Sequence, residues 1–194
     1  LSVSSSGEQA NDDSTDPAIS ASGRFVAFQS AATNLVANDT NGRTDVFLRD
    51  RDVNNTGTYD TPGNVSTTLI SVSTSGLQAN GHSYCSSISE DGRYIVFYSE
   101  ASNLDELLPD SNGTSDVFVH DRINGTTLRV SIGSDGKTQG NGASTRAVIS
   151  PDGNLIVFET QASNFSEVDL NGAADIYTHD MRDGSTFMNS VNNN

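Results

Sequence analysis

ISEDGRYIVF, residues 88–97, decides the fold. Its first half, Ser-Glu-Asp-Gly, asks for a tight turn in which glycine takes a positive φ. Its second half is short, β-branched and aromatic, and apolar at successive positions. A strand apolar on both faces belongs between two layers. The stretch has two other copies, ISASGRFVAF at 19–28 and ISPDGNLIVF at 149–158, so the Ile-Ser marker returns after 69 and then 61 residues. Recurrence at this spacing means an array of like units.

Working outward, each copy is followed by a short polar segment (ATNL at 32–35, ASNL at 101–104, ASNF at 162–165) and then by an acidic one. The acidic segments read DTNGRTDVFLRD at 39–50, DSNGTSDVFVHD at 110–121 and DLNGAADIYTHD at 169–180. Their second halves alternate as strands do, with Val46, Val117 and Ile176 on one face and Phe47, Phe118 and Tyr177 on the other. PAIS, SSIS and AVIS supply short inner strands, and TTLISVS, TTLRVSI and STFMNSVN read as outer strands. SVSSSGEQAN at 2–11 recurs as SVSTSGLQAN at 71–80 and more loosely as SIGSDGKTQGN at 131–141. The segment RDVNNTGTYDTPGNVSTT, 51–68, is rich in Gly, Pro and Asn and reads as an exposed excursion.

No helical period of useful length occurs, so the fold class is all-β, with blades of four antiparallel strands. The Ser-x-Asp-Gly-Arg/Asn-x-x-Val-Phe signature in SEDGRYIVF and SPDGNLIVF resembles the TolB-like, WD-repeat-like β-propeller repeat family, in a long-loop variant of bacterial secreted proteins. The resemblance covers nearly the whole chain and implies a six-bladed ring. The expected units are 1–68 (with a leading outer strand at 1–4), 69–127 and 128–194. Three units are half of such a ring or part of a longer array, since closed propellers need at least four blades. A β-sandwich gives no reason for near-identical units.

The 194 residues carry 25 Asp and Glu against 10 Lys and Arg, a formal charge of −15. That field repels phosphate backbones, which excludes nucleic acid as an expected partner. No stretch approaches the ~20 apolar residues of a membrane helix, so no membrane insertion is expected. Together with the resemblance, this points to a secreted, cell-surface or periplasmic protein. Cys85 is the only cysteine, so no internal disulfide forms, and its place before an apolar strand suits a small buried filler.

The acidic loops are the candidate sites. Asp39, Asn41 and Asp45 place carboxylate and amide oxygens at alternating positions around Gly42, as do Asp110, Asn112 and Asp116, and Asp169, Asn171 and Asp175. Calcium takes 6–8 oxygens in loose geometry, so the loops are candidate Ca2+ ligand sets. Asn-Gly is also the strongest short hairpin signal, and Asp before it bonds the turn backbone. Metal and turn stand as alternatives. Asp50, Asp121 and Asp180, preceded by Arg49, His120 and His179, read as framework groups. Adjacent His and Asp point to opposite faces of a strand, which argues against a catalytic pair. Several Asn-x-Ser/Thr sequons, such as Asn38, Asn64, Asn112, Asn124 and Asn164, are what an Asn-rich chain produces by chance. No organic-cofactor motif and no asymmetric constellation of catalytic side chains is present. The expected function is a non-catalytic module for protein interaction, or for self-association through edge strands. The alternatives are part of a larger propeller enzyme, a hydrolase or lyase, and a glycan-binding propeller with few aromatic platforms.

Overall fold

The computed structural model describes residues 2–166, 169 and 171–190. Among them, twelve strands form three four-stranded antiparallel sheets. The first blade comprises β1 (Ser14–Ile19), β2 (Phe25–Ser30), β3 (Asp45–Asp50) and β4 (Ser66–Leu69). The second comprises β5 (Ser83–Ile88), β6 (Tyr94–Ser99), β7 (Asp116–Asp121) and β8 (Thr126–Arg129). The third comprises β9 (Ser144–Ile149), β10 (Leu155–Thr160), β11 (Asp175–Asp180) and β12 (Thr186–Met188). Strands pair in sequence order within each blade. The expected blades are therefore present, and no described helix is long and apolar enough to cross a membrane.

Serine builds the first turn of each blade. In the second, the Ser89 hydroxyl accepts from Tyr94 N and donates to Asp91, whose Oδ1 also accepts from Arg93 N. Ser150 and Asp152 repeat this in the third. The turn glycine has a second duty at two positions. A Cβ on Gly92 would lie 2.2 Å from the Phe25 ring of the first blade, and one on Gly153 would lie 2.6 Å from the Tyr94 ring of the second. Each turn thus seats an aromatic side chain of the blade before it.

The period of two along each strand decides the stacking. Phe25, Ala27, Val46 and Leu48 leave one face of the first blade and pack on Ile95, Phe97, Leu104 and Phe118 of the second. The other face of the second blade offers Tyr94, Val96, Val117 and Val119 to Ile156, Phe158 and Tyr177 of the third. Rings at equivalent places stack within their blades, Phe97 on Phe118 at 5.8 Å and Phe158 on Tyr177 at 6.3 Å. Burying each such side chain contributes about 1.5–3 kcal/mol. The turns are also joined: Ala21 N donates to Glu90 O, and Glu90 N to Pro151 O.

The segment read as a leading outer strand at 1–4 is something else. Its Val3 forms an isolated bridge to Gln9, as Val72 does to Gln78 and Ile132 to Gln139. These segments are tight hairpins; the first leads into the first blade, and the other two join one blade to the next. Each docks on the outer strand of the blade that follows it. Thr67 Oγ1 donates to Val3 O, Thr127 Oγ1 to Val72 O and Thr186 Oγ1 to Ile132 O. The outer strands end accordingly at Leu69 and Arg129, before the serines. The excursion after β3 is mostly exposed, organised by buried Asp52, which accepts from Thr56 N, Gly57 N and Asn64 Nδ2.

Candidate functional site

The first two acidic loops lie where one blade meets the hairpin leading to the next. In the first loop, Gln78 Nε2 donates to Asp39 Oδ1 at 2.8 Å, and the Ser71 hydroxyl donates to Asp45 Oδ1 at 2.6 Å. Asn41 Nδ2 reaches both Asp45 Oδ2, at 2.7 Å, and the Ala79 carbonyl, at 3.0 Å. The Ala79 carbonyl fixes that amide with its nitrogen toward Asp45, because an oxygen there would face an oxygen. Asn41 Oδ1 accepts from Arg43 N. Asp45 is fully buried, and burial pushes its carboxyl up to about 6 against the bonds from Ser71 and Asn41. Burial also raises Asp39, opposed by Gln78.

The second loop repeats the device with a tighter grip. Gln139 Nε2 bridges Asp110 Oδ1 at 2.6 Å and Asp116 Oδ2 at 2.9 Å. Ser131 donates to Asp116 Oδ1, and Asn112 Nδ2 to the Gly140 carbonyl. Burial raises the Asp116 carboxyl even with Arg129 3.3 Å away. In the third loop Ser190 donates to Asp175 Oδ1 and Asn171 Oδ1 accepts from Ala173 N. Here the glutamine is lacking among the described residues. Asp169 Oδ1 and Asp175 Oδ2 are buried without a hydrogen-bond partner.

The first two loops are thus clasps: their carboxylates accept from a Ser and a Gln of the following hairpin, and their asparagine donates to a backbone carbonyl there. Hydrogen bonds to charged groups are worth about 1.5–3 kcal/mol each. Among the described residues no three His, Cys, Asp or Glu side chains come together as a metal cluster. The nine expected ligands do gather loop by loop, with the first two sets engaged by protein donors. Sequence reasoning missed Gln78, Gln139, Ser71 and Ser131. The recurrence of Gln-Ala-Asn at 9–11 and 78–80, with Gln-Gly-Asn at 139–141, was the signal that pointed to the glutamines.

The asparagines of those hairpins lock to the polar segments. Asn80 N donates to Asn103 Oδ1, while Ser102 N donates to Asn80 Oδ1. Asn11 with Asn34 and Asn141 with Asn164 do the same. At the strand ends, Asp50 takes Arg24 through both oxygens at 2.8 Å and Asp52 N through Oδ1. Burial pushes Asp50 up, but these bonds outweigh it and hold the carboxyl below the usual range. His120 and His179 are buried with Nδ1 2.9 Å from Thr127 Oγ1 and Thr186 Oγ1. Those hydroxyl protons are spent on hairpin carbonyls, so Nδ1 carries the hydrogen. Burial lowers both imidazoles. The framework reading of these residues holds.

One set of unlike residues comes together. Every first strand has a bulge, and at its equivalent positions stand Asp16, Cys85 and Arg146. Asp16 and Arg146 adopt positive φ of 48° and 50°. With Ser86, Tyr98, Ala147 and Val148 they line a cleft of about 330 Å³. Arg146 pairs with Glu159 at 3.1 Å. Burial pushes the Cys85 thiol up to about 12, so it is no nucleophile at neutral pH. The cleft offers opposite charges and no nucleophile–base pair.

No protein-family model and no curated protein matches the chain. Solved structures do match. TolB from Agrobacterium tumefaciens shares 17% identity at TM-score 0.55, over 96% of this chain and 51% of its own. Tricorn protease shares 13% at TM-score 0.51, over 93% and 19%. TolB from Acinetobacter baumannii shares 21% at TM-score 0.49, over 91% and 32%. At these identities the likeness is one of fold: the chain is built of TolB-like β-propeller blades. It spans about half, or less, of the structures it matches.

Proposed function

We propose that the chain is a non-catalytic propeller module for protein interaction and assembly, acting as a secreted, cell-surface or periplasmic protein. The observation that carries this reading is the contrast between inner seams and end faces. Ile149 is 9% exposed at a seam, but its counterpart Ile19 on the outer face of the first blade is 59% exposed. Val46 and Val117 are fully buried, but Ile176 of the third blade is 39% exposed and Val148 of the same blade 55%. Both end faces keep the pattern that the interior uses for stacking. The carboxylates of the first two acidic loops are meanwhile consumed, in repeated form, by the clasps. Sedimentation velocity from low to high micromolar protein, with hydrogen exchange at residues 19 and 148, tests the reading. Concentration-dependent assembly that protects these residues supports it; a monomer that leaves both faces exchanging freely refutes it.

Calcium belongs to the proposal at the third loop, where Asp169 Oδ1 and Asp175 Oδ2 lack a protein donor. Calorimetric titration distinguishes one ion per chain from three or none. A second reading, contact with a zwitterionic or peptide ligand, is favoured by Asp16 and Arg146 across one cleft. Loss of peptide-array binding in Asp16→Asn and Arg146→Met variants is its test.

A further inference from the structure

We infer that the cleft beside the first hairpin is a carboxylate-binding site, built on Ser4 and Ser6, and that its occupant is a glutamate side chain of a partner protein. The inference rests on the interaction half of the reading above and uses no part of the end faces.

The second blade shows such a site filled from within its own chain. There the Ser73 hydroxyl donates to Glu106 Oε1 at 2.5 Å, and Ser75 N donates to the same oxygen at 3.1 Å. Ser73 Oγ also accepts from Leu77 N and lies 3.1 Å from the Ser75 hydroxyl. These donors, the Ser73 hydroxyl foremost, hold the Glu106 carboxyl below its usual range. The first hairpin builds the same receptor. Ser4 Oγ accepts from Glu8 N at 3.1 Å and lies 2.8 Å from the Ser6 hydroxyl. Ser5 accepts from Thr67 N as Thr74 does from Thr127 N, so the two hairpins sit alike on their outer strands. The loop that would fill the receptor differs. Three residues separate Leu35 from Asp39, whereas five separate Leu104 from Asp110, and Ala37 stands where Glu106 does. Among the described residues nothing accepts from Ser6 N.

The result is a cleft of about 380 Å³, lined by the serines and by Leu35, Val36 and Ala37. A carboxylate in it takes the Ser4 hydroxyl and Ser6 N, while Ser6 gives its own hydroxyl proton to Ser4. The three apolar residues meet the methylenes of a glutamate. Glu8 also lines the cleft, in the place of Leu77, and Asn34 Nδ2 donates to its Oε1 at 3.2 Å. Its charge opposes a second carboxylate, so binding is modest and strengthens as salt screens the pair. The third hairpin has no such receptor. Gly133 replaces the serine, and Asp135 accepts from Lys137 N and Thr138 N of its own hairpin. Glu106 is exposed although a blade precedes the second, so a preceding blade does not cover this place.

Amide NMR of the whole nitrogen-15-labelled chain tests the site, with the capped peptide acetyl-Glu-Leu-Leu-amide, the sequence of residues 106–108, as the probe. The Ser6 amide should shift and saturate with this peptide and stay unmoved with acetyl-Gln-Leu-Leu-amide. Ala37→Glu should put a carboxylate into the cleft and abolish the shift without lowering the melting temperature. Glu8→Leu should tighten binding, and Ser4→Ala should weaken it about tenfold or more. A Ser6 amide indifferent to the glutamyl peptide overturns the site, and so does undiminished binding by Ala37→Glu. Acetate binding as tightly as the peptide gives the cleft to small free acids and overturns the partner assignment. Assembly through the end faces is read separately, by sedimentation, and stands or falls apart from these results.

Discussion

Replacing Gly92 by alanine tests the seam between the first two blades directly. Gly92 has φ of +72° and Gly23, at the same turn position of the first blade, has φ of +75°. A left-handed alanine costs about 1–2 kcal/mol at either position. The two differ in what the new methyl meets. At Gly23 the nearest atom is Tyr59 Cε2 at 3.7 Å, an ordinary contact; at Gly92 it meets Phe25 Cδ2 at 2.2 Å, Cγ at 2.7 Å and Cβ at 3.0 Å. The clash reaches the root of the side chain, so a swing of the ring does not relieve it. The ring is also held by the Arg122 guanidinium at 4.0 Å and that of Arg24 at 4.7 Å. Overpacking of this kind adds about 1–3 kcal/mol. Gly23→Ala should therefore cost about 1–2 kcal/mol and Gly92→Ala about 2–5 kcal/mol. Urea denaturation followed by far-UV circular dichroism suits a chain without Trp. Phe25→Leu in the Gly92→Ala background should recover part of the excess. If Gly92→Ala costs no more than Gly23→Ala, the turn does not seat the neighbouring ring and the stacking argument fails.

Gln139→Ala should destabilise by about 2–4 kcal/mol, because two charged-group bonds are lost and Asp110 faces Asp116 unbridged; equal urea midpoints for variant and wild type would contradict the clasp. His120 and His179 have folded-state values lowered from 6.5, so their contribution is neutral above that pH and turns destabilising as pH falls below it. A His120→Gln, His179→Gln variant should lose less stability than wild type on going from pH 7 to pH 5, by melting temperature. Asp45 has the opposite sign: raised from 3.8 to about 6, it favours the folded state at low pH, and that contribution is lost as pH rises through about 6. Carbon-13 NMR titration of its carboxyl finding an ordinary value would show that Asp45 is not buried as described. Cys85, pushed up to about 12, should resist thiol reagents in the native protein and react at once in denaturant.

The strands were legible because local chemistry determines them. Ser-x-Asp-Gly makes its own turn, and RYIVF between two layers needs no distant information to be a strand. The hairpins were not. TTLISVS alternates like one continuous strand, but Ser71 gives its hydroxyl to Asp45 and Val72 turns back to pair Gln78. The Asp45 partner stands 26 positions away, and nothing local marks the break. The acidic loops were found by residue type, but their role depends on orientation: Asn41 turns its nitrogen, not its oxygen, toward Asp45 because Ala79 O lies behind it. Asp16 and Arg146 escaped notice, and Cys85 was read only as a buried filler, for the opposite reason. They share a place in the fold and no chemical likeness, so repetition in sequence could not flag them.

The turn-to-turn ladder has a consequence for how such a chain can lengthen. Ala21 gives its N–H to Glu90, Glu90 gives its own to Pro151, and proline has none to pass on. The third unit ends that line of bonds, whatever stands beyond it. A gene that grew by copying the second unit would transmit the bond to every new seam. One that grew by copying the third would inherit an array in which each new seam lacks it, held by ring packing and clasps alone.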